Sequence, residues 1–568
     1  MLGLQLADIV ALGIYFVVVI LIGVWTARRV HDVADFVMPR RFGKTMMVFF
    51  GFGTGTHSDQ AVSVASKSYT NGVSGIWYQW LWLFPTPFYW LIAPVMRRFR
   101  AITTADVFEL RYNRSMAMLF AVVGLMQYTV NIGVMLKGSA HVIEASTAGS
   151  LNANAAIAVM TVLFVAYGVA GGLHAAVLTD FIQGVLTLLF SFMLLPLLLN
   201  AIGGFDGLHQ AVAPDKLTLI APAEIGVFYV AVIAFNGLVG IVTQPHTMSN
   251  CAAGRTELDG QVGWMGGNFL KRICTIAWTL TGVAAIAYFA QQGVRDIHPD
   301  NVFGAVAHRF LPAIMPGLLG LFLAGLLASV MSSCDAFMIA TSGLFTENIY
   351  KPLVGGKSQR HYLWVARLSS LGVVSAGVVF AYWLSDVVQG LEIFWKISPM
   401  LGIAFWLGLF WRRMTTAGAW SATLAGFAAW WVTTQTWCID AVAHWPLAES
   451  WRLVFVKKGV PEIYMPWQMI FYLSAGTIAG IVVSLLTPSV AHERLERFYG
   501  LIRTPVVPGE QVKAACTIPV GAVTQPARKL IPVESLEIYV PKPQMIAGFL
   551  AGWVGVGLLI GIFLWLIS

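Results

Sequence analysis

Residues 51–60 read Gly-Phe-Gly-Thr-Gly-Thr-His-Ser-Asp-Gln, inside a stretch, 45–69, otherwise long and apolar enough to be a membrane helix. Glycine, threonine and serine tolerate unwinding and supply carbonyls to a cation, and His57, Asp59 and Gln60 add groups that are costly in hydrocarbon. A run this polar is not lipid-facing helix. It reads as a broken helix whose carbonyls and side chains line an internal site. The competing reading is a small-residue packing face. Asp59 weighs against it, because close packing needs no carboxylate.

Apolar runs of about 20 residues recur on both sides of this break. The chain of 568 residues is 58% hydrophobic and 11% charged, against about 25% charged in a soluble domain. So little charge cannot cover a water-facing surface, and most of the area must face lipid. Residues 186–199, mostly Leu and Phe, do not alternate as barrel strands would. Hydropathy gives about fourteen candidate spans, near residues 7–27, 45–69, 75–95, 116–145, 155–170, 175–200, 226–248, 263–291, 317–349, 362–384, 388–411, 417–437, 467–486 and 545–568. The expectation is an all-α membrane protein.

Basic residues set the orientation. Arg28, Arg29, Arg40, Arg41, Lys44, Arg97, Arg98, Arg100, Arg111 and Arg114 fall in loops on one side, with Lys351, Lys357, Arg360, Arg412, Arg413, Arg494, Arg497, Arg503, Arg528 and Lys529. The opposite loops are poorer in basic residues, so the first set is expected in the cytoplasm of a multi-pass inner-membrane protein. An even number of spans then places both termini outside. The first residues lack a basic n-region and a cleavage site, so 7–27 is expected to remain as a span. Loop 438–466 is expected outside, and 487–544, rich in proline and charge, as a mostly irregular cytoplasmic linker. The net charge of +8 has its source in these loops, and without a compact basic domain nucleic acid is no expected partner. Cys251, Cys274, Cys334, Cys438 and Cys516 follow no metal spacing and read as buried or incidental thiols. There is no HExxH, no GxSxG and no clustered His/Asp ligand set, which argues against an enzyme.

Other polar residues sit in apolar segments. Ser329, Ser332 and Ser333 share one helical face, with Asp335 following. Hydroxyls and carbonyls there would suit a hard cation such as Na+; the alternative is that they bond back to their own helix. Asp180 and Gln183 stand early in the helix after the short turn at 171–174, where capping is the plain alternative. Lys137, Asn236, Gln244, Lys271, Glu392 and Lys396 are further intramembrane polar residues.

Three segments together resemble the sodium:solute symporter family. Residues 171–183, GGLHAAVLTDFIQ, are similar to its signature GGL-x-A-x-x-x-TD-x-x-Q. Residues 324–350, AGLLASVMSSCDAFMIATSGLFTENIY, resemble its ion-binding helix, and 407–413, LGLFWRR, a further element. The resemblance implies an inverted five-plus-five helix repeat, as in the leucine transporter, with flanking helices. In those terms residues 1–44 hold a flanking helix and loop, 45–416 the transport core, 417–486 two further helices, 487–544 the linker and 545–568 the last helix. It implies a main sodium site of the carbonyls of Gly53, Thr56 and Ser329 with the hydroxyls of Ser332 and Ser333. Asp180 matches the carboxylate linked to a second sodium or the ion exit path. Asp335 stands where some members have serine, and two nearby carboxylates could instead bind a cation or share a proton. Gln60, Gln79, Asn236 and Lys271 match positions lining the pocket of the sugar-carrying branch, whose Tyr-Trp pair is replaced by Val239-Gly240. His57 and Asp59, with Lys271, suit a charged solute.

The expected activity is sodium-driven uptake of a small polar solute, whether sugar-like, polyol or small charged organic molecule, by alternating access. Na+ is the coupling ion, with no other cofactor and no obligatory protein partner expected. The alternatives are a proton-coupled carrier using His57 or Asp180, and a sensor that binds solute without moving it.

Overall fold

The computed structural model describes all residues except 1–2, 28–39, 41, 55, 169–171, 222–224, 295, 458, 508, 511, 513 and 527, and except the side chains at 19–20, 22–27, 58, 163–183, 328, 331–332, 335–336, 339 and 457. The long helices run in the order α1 Leu6–Ala27, α2 Lys44–Gly53, α3 Ser58–Asn71, α4 Thr86–Arg98, α5 Arg114–Ser146, α6 Ala153–Gly168 and α7 Gly172–Ile202. Then come α8 Val227–Ile241, α9 Glu257–Gln291, α10 Val302–Ile314, α11 Leu318–Phe345, α12 Gln359–Trp383 and α13 Val387–Phe410. The chain closes with α14 Thr416–Val432, α15 Met465–Leu486, α16 His492–Arg503 and α17 Pro543–Ile567. Among the described residues 7 helices are long and apolar enough to cross a membrane, and shorter apolar stretches lie in α1, α6, α8 and α11.

Burial separates scaffold from periphery. In their most apolar windows α9 is 83% and α5 67% buried inside the molecule, whereas α12 is 11% buried. The first two are therefore the central posts, and α12 turns most of its surface outward. α9 packs along both α2 and α3. It does so through glycine: a Cβ at Gly267 would fall 2.6 Å from the Phe52 amide and the Val48 carbonyl. Without a hydrophobic force between helices in lipid, such backbone approach supplies the association.

Three candidate spans are interrupted. The stretch 45–69 divides into α2 and α3 around residues 54–57. The stretch 75–95 begins in a 3-10 turn, Gly72–Ile76, and a short helix, Trp77–Trp80, before α4. The stretch 226–248 does not run through: α8 stops at Ile241 and a short helix resumes at Thr247–Ala252. Pro245 lies between them, and its missing N–H and fixed φ account for the interruption.

Outside the bundle, residues 438–466 carry a short antiparallel hairpin, β1 Val454–Lys457 with β2 Val460–Ile463. Within 487–544, α16 and the irregular chain after it lie across the ends of α4, α9 and α13. Arg98 holds Glu257 through two hydrogen bonds of 2.8 Å, and the Val506 N–H donates to the same carboxylate at 2.9 Å.

Candidate functional site

The break between α2 and α3 is held by its own side chains. The Thr54 N–H and hydroxyl both donate to the Phe50 carbonyl, at 2.9 and 2.7 Å. The Thr56 N–H donates to the Gly53 carbonyl at 3.1 Å, and its hydroxyl to Phe52 at 2.5 Å. The polar residues that follow point inward: His57, Asp59 and Gln60 are all buried. His57 Nδ1 lies 3.6 Å from Asp59 Oδ1. Among the described residues neither His57 ring nitrogen has a hydrogen-bond partner, and Asp59 Oδ1 has none either. α5 packs closely against Asp59, and a Cβ at Gly138 would stand 2.7 Å from Asp59 Cα.

The interruption at Pro245 brings its own imidazole, His246. His246 lies within electrostatic reach of His57 and Lys271, and Lys271 of α9 within reach of Asp59. Phe337 of α11 is the common wall. Its ring meets His57 edge-on at 6.0 Å, His246 at 6.4 Å and Tyr128 of α5 at 4.8 Å. Two interrupted helices and α11 thus converge on two imidazoles, a carboxylate and the Lys271 amine. Beside them is a cavity of about 50 Å³ with a mostly apolar wall that includes Phe190, Trp278, Phe303 and Phe322, and with His57, Ser191 and Ser329 among its polar members. It is far smaller than the roughly 150 Å³ that accepts benzene. It is too small for an organic solute.

Of the residues matched to a sodium site, Gly53 and Thr56 stand at the break, and Ser329 and Ser333 are buried on α11. Ser329 lines the cavity with His57 while its hydroxyl donates back to the Leu326 carbonyl at 3.1 Å. The side chains of Ser332, Asp335 and Asp180 lie outside the described residues; the first two belong to α11 and Asp180 to α7.

The residues matched to a solute pocket divide. Gln60 and Lys271 belong to the central cluster. Gln79 is buried and accepts from Arg272 at 3.4 Å. Asn236 donates to the Trp395 carbonyl at 3.0 Å and accepts from the Tyr472 hydroxyl at 2.5 Å, so both ends of its amide are engaged with protein. Sequence reading passed over Arg272, a fully buried guanidinium, and His246. Arg272 sits beside Lys271 in a long apolar run, a visible signal for an internal charge. His246 becomes notable once Pro245 is read as a break.

Helices at membrane-spanning length around two interrupted ones, with polar groups gathered where they break, define a multi-pass membrane transporter. The sodium:solute symporter family model matches residues 36–426, and the chain belongs to that family. It is 27% identical over 506 residues to the osmoregulated proline transporter OpuE of Bacillus subtilis, covering 86% of this chain and 96% of that one. It is 24% identical to the sodium/glucose cotransporter of Vibrio parahaemolyticus, covering 73% and 83%. The sodium/pantothenate symporter of Haemophilus influenzae is also 24% identical, over 71% and 85%. Among solved structures, a substrate-bound, outward-open Na+-coupled sialic acid symporter superposes with a TM-score of 0.66 at 16% identity, covering 86% of this chain and 99% of that one. A nucleobase-cation-symport-1 family transporter in a closed conformation gives 0.51 at 11% identity, over 82% and 99%. These likenesses establish the fold, that of the leucine transporter.

Proposed function

We propose that the protein couples inward sodium movement to uptake of a small polar organic solute by alternating access, with residues 45–416 as the moving core. The observation that carries this is the small cavity in which the helix break, through His57, meets Ser329 of α11. Sodium would bind beside this cavity, which Ser329 lines, to the carbonyls of Gly53, Thr56 and Ser329 and the hydroxyls of Ser332 and Ser333. Asp180 and Asp335 would serve a second cation or a proton. The basic loops would face the cytoplasm and both termini the outside.

The solute we favour is small and charged, a zwitterion or carboxylate, rather than a sugar. His57, Asp59, His246 and Lys271 form a titratable cluster at the break. Asn236, whose counterpart would hold a sugar, is bonded at both ends of its amide. Proline carriers are among the relatives, which agrees with a compact zwitterion. The buried His57–Asp59 contact at 3.6 Å keeps proton coupling as the second reading.

Uptake of externally added small amino and carboxylic acids into proteoliposomes, in sodium against choline buffer, tests both. Uptake that needs external sodium supports the first reading. Uptake that follows a pH gradient in choline supports the second.

A further inference from the structure

We propose that His141, His298 and Asp300 form a binding site for Zn2+ or a related transition-metal dication, at the end of α5 remote from the basic loops. One ligand atom of each residue lies within 4.8 Å of the others. No sequence spacing shows this set: the fold joins the last turns of α5 to the turn Pro299–Asn301, which leads into α10. α5 has 33 residues, about 50 Å at a rise of about 1.5 Å each, so the site and Arg114 stand at opposite ends of the molecule.

The chemistry around the three side chains is that of a metal site. His141 Nδ1 is 2.8 Å from the side-chain oxygen of Asn301, a geometry that places the proton on Nδ1. The lone pair is then on Nε2, which is buried and has no hydrogen-bond partner among the described residues. A histidine ligand is ordinarily held this way, its second nitrogen donating to an oxygen that fixes tautomer and ring. Asp300 is 1% exposed, and its Oδ2 accepts from the Val387 N–H at 3.1 Å, which anchors the carboxylate to the start of α13. His298 is exposed on the loop, and its ring lies parallel to that of His141 with centroids 5.1 Å apart. Its Nδ1 accepts a long bond of 3.3 Å from the Asp300 N–H, easily exchanged for water. Bonds of about 2.0–2.1 Å in a tetrahedral zinc site set ligand atoms roughly 3.3 Å apart. Closing the gap takes a rotation of the exposed His298 ring.

Two imidazoles and one carboxylate leave a fourth position for water, and imidazole with carboxylate suits zinc better than calcium or sodium. Glu144 Oε2, 3.8 Å from His141 Nδ1, adds a second negative charge, while Lys137, within electrostatic reach of His141, opposes. A bound ion would tie α5, the loop before α10 and, through Asp300, α13.

The test uses the full-length protein in detergent with metal alone. Titration with Zn2+ should saturate at about one ion per chain, and Co2+ should give the strong visible absorption of a four-coordinate site. H298A removes an exposed ligand and should lose the site with the fold unchanged by circular dichroism. N301A, which leaves all three ligands, should weaken binding by about tenfold to a hundredfold. Absence of saturable binding, or binding equal in the parent and both variants, overturns the proposal and leaves a stacked histidine pair that serves packing.

Discussion

Asn236 and Lys271 are both buried polar residues in apolar helices, and both match pocket positions, yet their partners separate them. Asn236→Ala removes an acceptor from the Tyr472 hydroxyl and a donor from the Trp395 carbonyl. Each buried group left unmade costs about 1–3 kcal/mol, so thermal stability should fall while solute affinity changes little. Lys271→Met keeps the bulk and removes the amine within electrostatic reach of Asp59, so solute binding should fall by more than stability does. A calorimetric comparison of the two variants decides, and the reverse pattern would exchange their roles. The proposed sodium site predicts a third behaviour. With Ser332→Ala and Ser333→Ala together, alanine keeps the helix and two oxygens are gone. The loss of even one charge-assisted contact is about 1–3 kcal/mol, roughly tenfold or more in apparent sodium affinity. Well-expressed variants with an unchanged half-saturating sodium concentration would remove these serines from the mechanism. At this scale the sequence was legible where polar residues interrupted an apolar background, as at Asp59 and Lys271. It was silent on partners. Nothing local distinguishes Asn236, bonded to helices 159 and 236 positions away, from an open pocket amide.

Helices were the readable unit, because about 20 apolar residues announce a span without help from neighbours. Interruptions were readable when glycine and polar residues coincided, as at 51–60, and escaped when one proline carried the break, as at Pro245. Pairing between helices was not readable, and α1 shows why. Asp8 falls in its first turn and suggests a local cap. In the fold its carboxylate is 1% exposed and reaches another helix as well: Oδ2 accepts from the Gln5 N–H and Oδ1 from the Gly320 N–H, both at 3.0 Å. Gly320 is the third residue of α11, so one carboxylate caps α1 and α11 together. A carboxylate at a helix N-terminus also meets the positive end of the helix dipole. Asp8→Ala should therefore cost about 1–2 kcal/mol, more than an ordinary exposed cap, and should loosen α1 from α11. Asp8→Asn, which keeps an acceptor, should recover part of it. Thermal unfolding of the two variants provides the measurement, and equal stability of D8A and the parent would remove the shared cap.

For the whole molecule, the most consequential long-range contacts are charged and lie at the end where α4, α9 and α13 meet the 487–544 segment. Glu510 reaches Arg100 at 2.8 Å and Arg97 at 3.4 Å, with all three side chains 5% exposed or less. Arg412 holds Glu496 at 2.7 Å and also pairs with Glu537, which Lys529 approaches at 3.2 Å. A reading by composition gives proline and charge, hence an irregular linker, and cannot show that the charges have buried partners. Removing one partner of a buried ion pair leaves the other charge uncompensated, at about 3–5 kcal/mol. Glu510→Ala strands two guanidiniums and should free the segment, seen as rapid proteolysis after Arg503 and a lower melting temperature. Glu347→Ala is the contrast. It breaks the Lys351 pair, whose glutamate side chain is 59% exposed, and should move stability by less than about 1 kcal/mol. Acid should act in the same direction as Glu510→Ala. The hydrogen bond from Arg412 holds the Glu496 carboxyl below its ordinary pKa, and at Glu537 bonds from Tyr539, Arg412 and Lys529 outweigh an opposing burial effect. Folded values below the unfolded one, about 4.3, mean that the stabilisation is fully present above that pH and is lost as pH falls through the folded values. The segment should therefore stay docked from neutral pH down to about pH 5 and loosen only as the pH falls below the ordinary carboxylate range. Proteolysis by an acid-active protease across that range reads the release directly, and a segment equally protected at pH 3 and pH 7 would show that these ion pairs do not hold it.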